Sequence, residues 1–207
     1  MIEKVNGFWV PSNDIHIEQW KSGDPFTQNK CLEKFLQHCE SKSLKFKTVI
    51  DVGAWCGTWS KAIEPYAEKV IAFEPDKLHF KCLMKNCTVN CTPRMEAVGS
   101  VNGHVSLTED DFTQAKRVND KGDIPLVTLD STGYDDVDLI KIDVEGYEME
   151  VLRGAENMLQ YSQYVMIELN NNSKKYGSSN RQIEKHLEKI GFKTLIDHWP
   201  DKVFCRN

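Results

Sequence analysis

The sequence predicts an α/β fold built on an open, mostly parallel, doubly wound sheet. Three observations carry that expectation. Short β-branched runs ("TVIDVG", "KVIAFEPD", "DLIKIDVEG" and "YVMIELN") recur along the chain and read as strands buried on both faces. Helical stretches stand between them, so the connections are crossovers and the strands pair in parallel. The last two apolar runs, "FKTLIDHW" and "KVFCRN", meet at a tight Pro200-Asp201 turn with no helix between them, so one strand near the C-terminus is antiparallel.

Residues 1–45 precede the first core strand. They are expected to form an arm packed on or over the site, with 46–207 as a single domain. Trp9, Trp20 and Phe26 would pin this arm to the core; stacking over a substrate is the alternative. After the first strand, Thr58 to Ala67 reads as a helix with Pro65 near its end, and Pro75 stops the second strand. Lys77 to Asn86 is helical, with Leu78, Cys82 and Leu83 on one side, and "RMEAVG" is a third, shorter strand. Asn102-Gly103 is a two-residue hairpin signal flanked by "HVSL". The polar run "TEDDFTQAKRVNDKGD" lacks an apolar period and is expected to be a surface loop over the site. Beyond "DLIKIDVEG", one amphipathic helix from Tyr147 to Leu159 would turn Tyr147, Val151, Leu152, Ala155, Met158 and Leu159 inward. A last helix, Asn180 to Ile190, closes at Gly191.

Composition narrows the function. A chain of 207 residues, 40% hydrophobic and 28% charged, suits one soluble domain with a sizeable core. A formal net charge of -5 argues against a nucleic-acid partner, and "SKSLKFK" reads as a solvated lead-in. No signal peptide is apparent at the N-terminus, and no apolar run approaches the roughly 18 residues that span a bilayer, so no membrane association is expected. Seven cysteines, an odd number, point to reduced thiols and a cytoplasmic location. Cys82, Cys87 and Cys91 do not match the paired spacing of a zinc site and read as ordinary thiols.

The stretch "VIDVGAWCGTWS" has the strand–glycine turn–helix form of a nucleotide loop. Gly53 and Gly57 remain, but Trp55 stands where a dinucleotide pyrophosphate needs a glycine to approach. Asp51 adds negative charge where phosphate would want none. The loop suits an adenosine-type ligand whose other end is zwitterionic or cationic, and S-adenosylmethionine meets that description. Glu74 lies 21 residues beyond Gly53, close to the roughly 20-residue spacing at which a carboxylate reaches ribose hydroxyls. The plain alternatives are an ordinary strand–helix turn and a solvated carboxylate before Pro75.

Together with "VIAFEPD", "VTLDS" and above all "DLIKIDVEGYEMEVLRGA", this loop resembles the FkbM-type methyltransferases, class I enzymes dependent on S-adenosylmethionine. The likeness runs from about Thr48 to Leu169 and more weakly to the end. It implies a Rossmann-like sheet in which Asp51, Gly53 and Gly57 shape the methionine end of the cofactor site. Glu74 would bind the ribose, and Glu96 and Ala97 would lie beside the adenine. Ala54, Trp55, Ser60 and Pro75 complete the expected cofactor contacts. Asp143 and Glu145 would sit where the methyl group is delivered. The family loop usually has Asn or His at the position of Trp55.

Asp143 and Glu145 end a buried strand just before Gly146, so partial desolvation would make either a usable base. The competing reading is that Glu145 or Glu148 favours the start of the next helix. No resident metal is assigned, although Asp143, Glu145 and Glu168 offer an alternative: a divalent cation with water ligands. His16, His104 and His198 lie in predicted loops and read as surface groups. The expected function is methyl transfer to an oxygen of a small-molecule or carbohydrate acceptor. Two rivals remain, a noncatalytic cofactor-binding module and an NAD-dependent oxidoreductase. The oligomeric state is left open.

Overall fold

Asn6 and Gly7 both take positive φ, the two-residue turn that matches strand twist, and fold β1 (Ile2–Val5) antiparallel onto β2 (Phe8–Pro11). This is a computed structural model, and it describes residues 1–14, 17–22, 30–110 and 113–206. His16 and Phe26 lie outside the described residues. Two helices follow, α1 (Ile17–Lys21) and α2 (Lys30–Ser41), the second burying Cys31, Leu32, Phe35 and Cys39.

From there strands and helices alternate. β3 (Phe46–Val52) leads to α3 (Thr58–Ile63), which tightens into a 3-10 turn at Glu64–Tyr66, where Pro65 sits. β4 (Ala67–Phe73) precedes α4 (Lys77–Asn86), whose N-terminus is capped by the Asp76 carboxylate accepting from Leu78 and His79 N–H. β5 (Cys91–Arg94) and β6 (Ala97–Val98) are short, and β7 (Gly103–Asp110) and β8 (Thr113–Val127) form a long ribbon. β9 (Val137–Ile142), α5 (Glu148–Arg153), α6 (Glu156–Tyr161) and β10 (Tyr164–Glu168) come next. The chain ends with α7 (Asn180–Lys189), β11 (Lys193–His198) and β12 (Asp201–Cys205).

Seven strands make the main sheet in the order β11-β12-β10-β9-β3-β4-β5. β12 is antiparallel to both neighbours, and the other pairings are parallel, as the sequence predicts. Each face is buried. Ile50, Ile71, Ile140, Ile142 and Ile167 point to one side, beneath α5, α6 and α7. Val49, Val70, Leu139, Met166 and Val203 point to the other, beneath α2, α3 and α4. Both-sided burial is why these strands read as continuous apolar runs rather than alternating ones.

Four expectations are corrected. The third strand of the main sheet is "CTPR", and of "RMEAVG" only Ala97–Val98 is a strand, in a separate sheet; an edge strand has one unpaired side, so β5 accommodates Pro93. Asn102-Gly103 makes no hairpin turn. The Asn102 side chain instead accepts from Thr128 N–H and Ser131 Oγ, and β7 pairs with the later β8. That ribbon occupies the stretch expected to be loop; its backbone pairing supplies the order that its side-chain pattern does not advertise. The expected Tyr147–Leu159 helix is two helices, parted at Gly154 and Ala155; Gly154 packs against Gly99 so closely that an added Cβ would lie 1.9 Å from the Gly99 carbonyl oxygen.

Cys87 and Cys91 are joined in a disulfide, contrary to the expectation of reduced thiols throughout. The loop between α4 and β5 brings their Cα atoms to 5.4 Å, inside the bonding range. His104 and His198 lie on strands β7 and β11, not in loops. No helix among the described residues is long and apolar enough to cross a membrane.

Candidate functional site

The parallel strands end side by side, and their registers set carboxylates along one edge. Asp51 pairs across to Lys141 on β9 and Ala72 on β4, so one residue further on each strand reaches the open end. There lie Glu74 just beyond β4, Gly53 just beyond β3, Asp143 just beyond β9 and Glu168 closing β10. In open α/β sheets this carboxyl edge is where ligands bind.

Gly53 has φ 77, and a Cβ there would lie 1.8 Å from the Asp143 carbonyl oxygen. The turn glycine is therefore required by the neighbouring strand end. Ala54 is buried behind it, and Gly57, with φ 88, precedes α3. Trp55 adopts φ 49, a left-handed conformation costly for a bulky residue. Two contacts hold it. Its N–H donates to Glu74 Oε2 at 2.8 Å, and its ring packs 5.1 Å from Trp20 and 6.0 Å from His79. The indole that would obstruct a pyrophosphate is the surface on which the N-terminal arm rests, together with Val5, Val10 and Ile17.

Glu74 is 6% exposed. Besides Trp55 it accepts the Asp76 N–H at 2.8 Å, across Pro75. Burial raises its carboxyl to about 7, opposed by these two backbone donors. Asp51 is fully buried; it accepts from Ser60 Oγ at 2.6 Å and pairs with the Lys141 ammonium at 3.0 Å. Glu96 is gripped by Arg94 through two bonds of 3.0 and 2.9 Å, beside Ala97 on β6.

Sequence reasoning quoted Lys141 within a motif but gave it no role. It is a buried cation at the strand ends. Its Nζ donates to the Gly53 carbonyl at 2.8 Å and faces Asp51 at 3.0 Å and Asp143 at 3.5 Å. Burial opposes its charge, but Asp51 and then Asp143 override that, so it stays protonated. A lysine inside an otherwise apolar buried strand was the available signal.

The acidic mouth is assembled as the spacing suggests. Asp143, Glu145 and Glu168 each present an oxygen within 4.8 Å of one another. Glu145, at φ 54, is held by the amides of Asn172 at 2.8 Å and Asn170 at 3.3 Å. Asn170 also donates to Glu168 at 2.6 Å. Burial, then the Asp143 and Glu145 charges, push Glu168 well above the carboxylate range, so it holds a proton at neutral pH. Burial and Asp143 also raise Glu145. Glu148 is 1% exposed and accepts the Gly146 N–H at 2.7 Å at the start of α5, while the Asp143 side chain is 38% exposed. Asp143, Glu145 and Glu168 are each half-buried at this mouth, whereas Glu148 is sealed at the helix start.

The chemistry of this edge fits S-adenosylmethionine. A buried carboxylate beyond β4 suits ribose hydroxyls, and the acidic groups at these strand ends, with Lys141 already paired, suit an amino group and a sulfonium more than a phosphate.

Comparison with known proteins agrees. A family model described as "Methyltransferase FkbM domain" matches residues 51–194. The hexuronic acid methyltransferase AglP of Haloferax volcanii is 25% identical over 181 residues, spanning 82% of this chain and 74% of that protein. The crystal structure of methyltransferase FkbM from Methylobacillus flagellatus KT superposes with a TM-score of 0.53 at 18% identity, covering 77% of this chain and 43% of that one. This chain therefore spans less than half of that protein's length. N-methyltransferase NodS from Bradyrhizobium japonicum WM9, solved with S-adenosylhomocysteine, superposes with a TM-score of 0.54 at 10% identity, covering 94% of this chain and 93% of that one. At such identities the structures share the fold.

Proposed function

The chain belongs to the FkbM methyltransferase family, and we propose that it moves a methyl group from S-adenosylmethionine to a hydroxyl oxygen of a small-molecule or carbohydrate acceptor. One observation supports this most: Glu74 and Asp143 stand just beyond the two strands that flank β3, on either side of the Gly53 turn, with Glu74 tied to the loop through the Trp55 N–H. In this reading Glu74 accepts from the ribose hydroxyls, and Asp51, Gly53, Ala54, Gly57 and Ser60 shape the methionine end. Trp55 and Pro75 border the ribose, and Glu96 and Ala97 border the adenine.

When bound, S-adenosylmethionine supplies an electrophilic methyl group. The residues of the chain hold the acceptor oxygen in line with it, and positioning provides much of the rate. Asp143 orients the acceptor hydroxyl and takes its proton; Glu145 is the second candidate. The acidic mouth, with Lys141 already engaged behind it, offers acceptors for a hydroxyl proton. AglP, which acts on a hexuronic acid by name, supports a sugar-like acceptor. The -5 charge of the chain supports a partner other than nucleic acid. Residues 1–45 are proposed to act as an arm that closes the site.

A thermal-shift panel tests the cofactor. S-adenosylhomocysteine at about 100 times its dissociation constant should stabilise the chain by about 2.7 kcal/mol, and NAD should not. A shift with NAD alone would return the oxidoreductase reading, and no shift with either would remove the cofactor assignment.

Glu74 gives a second test. Glu74→Ala should weaken S-adenosylhomocysteine by ten- to a hundredfold, from the loss of roughly 1.5–3 kcal/mol of charge-assisted hydrogen bonding. The pH dependence has a definite sign. The ionised carboxylate is the stronger acceptor, and burial holds Glu74 at about 7. Affinity should therefore level off above pH 7 and fall below it, by no more than the ten- to a hundredfold that Glu74→Ala costs. Glu74→Gln should flatten that slope; a slope that survives the substitution belongs to another group.

A further inference from the structure

We propose that Asn86 is a positioning residue for the cofactor loop, coupling the N-terminal hairpin to the loop backbone at Cys56. The proposal rests on the methyl-transfer reading. Asn86 is the last residue of α4, and its side-chain amide is fully used. Its Oδ1 accepts the Trp9 N–H and its Nδ2 donates to the Trp9 carbonyl, both at 2.8 Å. The amide thus does for β2 what a neighbouring strand would do. The other Nδ2 hydrogen goes to the Cys56 carbonyl at 2.8 Å.

Cys56 lies inside the loop, between Trp55 and Gly57. A short side chain with one acceptor and two donors is needed to satisfy all three bonds. Asp lacks the donors, and Gln reaches one methylene too far. The second tie between arm and loop is the Trp20–Trp55 ring contact at 5.1 Å. The two ties hold consecutive residues of one short turn, Trp55 by its ring and Cys56 by its carbonyl, so the loop conformation that faces the ligand and the docked state of the arm stabilise each other. Losing either tie should loosen the loop, and losing the second afterwards should cost little more.

Calorimetry with S-adenosylhomocysteine and amide hydrogen exchange test this on the full chain. Asn86→Ala and Asn86→Asp should each weaken binding about tenfold and speed exchange at Trp9, Gly57 and Thr58, with core amides such as Ile50 and Ile140 still protected. Trp20→Ala should give a similar loss, and the Asn86→Ala/Trp20→Ala pair should bind clearly tighter than the product of the two losses predicts. A residue that merely stabilises the fold would not show this non-additivity in ligand affinity. Tight wild-type binding with unchanged affinity in Asn86→Ala, or strictly additive losses, would overturn the proposal alone. A wild-type chain that does not bind S-adenosylhomocysteine would overturn the methyl-transfer reading and this proposal with it.

Discussion

Lys141→Met should destabilise the fold by about 3–5 kcal/mol, the usual loss when one partner of a buried ion pair is removed. Methionine keeps the apolar stem, so the strand stays packed and the change isolates the ammonium. Without it, Asp51 is left fully buried with Ser60 as its polar partner, and the Gly53 carbonyl loses its Lys141 donor. Asp143 loses its counter-charge as well. With Lys141 and Asp51 at 8% and 0% side-chain exposure, salt cannot screen this pair as it would a surface one. A loss of this size is a large share of the 5–15 kcal/mol typical of a domain. Denaturant titration reads it directly. The double variant Lys141→Met/Asp51→Asn should recover part of the loss, since both charges are then gone. A loss below about 1 kcal/mol in the single variant would mean that water reaches Asp51 and that the pair is not structural.

This lysine also shows where the sequence is legible and where it is not. The four central strands could be read because burial on both faces demands unbroken β-branched runs. The elements from β5 to β8 could not be read as well. β5 is four residues with a proline inside, so it carries no such run. The β7–β8 ribbon is held by backbone pairing, which leaves little trace in side-chain type. The break between α5 and α6 falls at Gly154, which packs on Gly99 more than fifty residues away in sequence, a contact that no helical period records. The site divides in the same way. Gly53, Glu74 and Asp143 carry fixed spacings from a local strand–turn–helix unit. Lys141 and Asn86 act through partners 90 and 77 residues distant, at Asp51 and Trp9. Their roles appear only once the strands and the arm are assembled. Trp55 was conspicuous in the sequence, but its meaning came from Trp20.

Asp143→Asn should cut turnover by about 10²–10⁴, the range for loss of a general base, while changing cofactor affinity far less. Asparagine keeps the shape and can still accept a hydrogen bond, so the variant isolates the loss of charge and of proton capacity. Asp143 is the first candidate because its side chain is 38% exposed at the strand end, with Lys141 at 3.5 Å orienting it. Glu168 retains its own proton beside it, and Glu145 is fixed by the Asn170 and Asn172 amides. Glu145→Gln should therefore cost less than Asp143→Asn, since the amides already occupy that carboxylate. The reverse order would move the base to Glu145. Equal tenfold losses of cofactor affinity in both variants would place these carboxylates on the amino group of the cofactor. Wild-type turnover in both, with an acceptor in hand, would remove the base assignment and direct attention to Glu168.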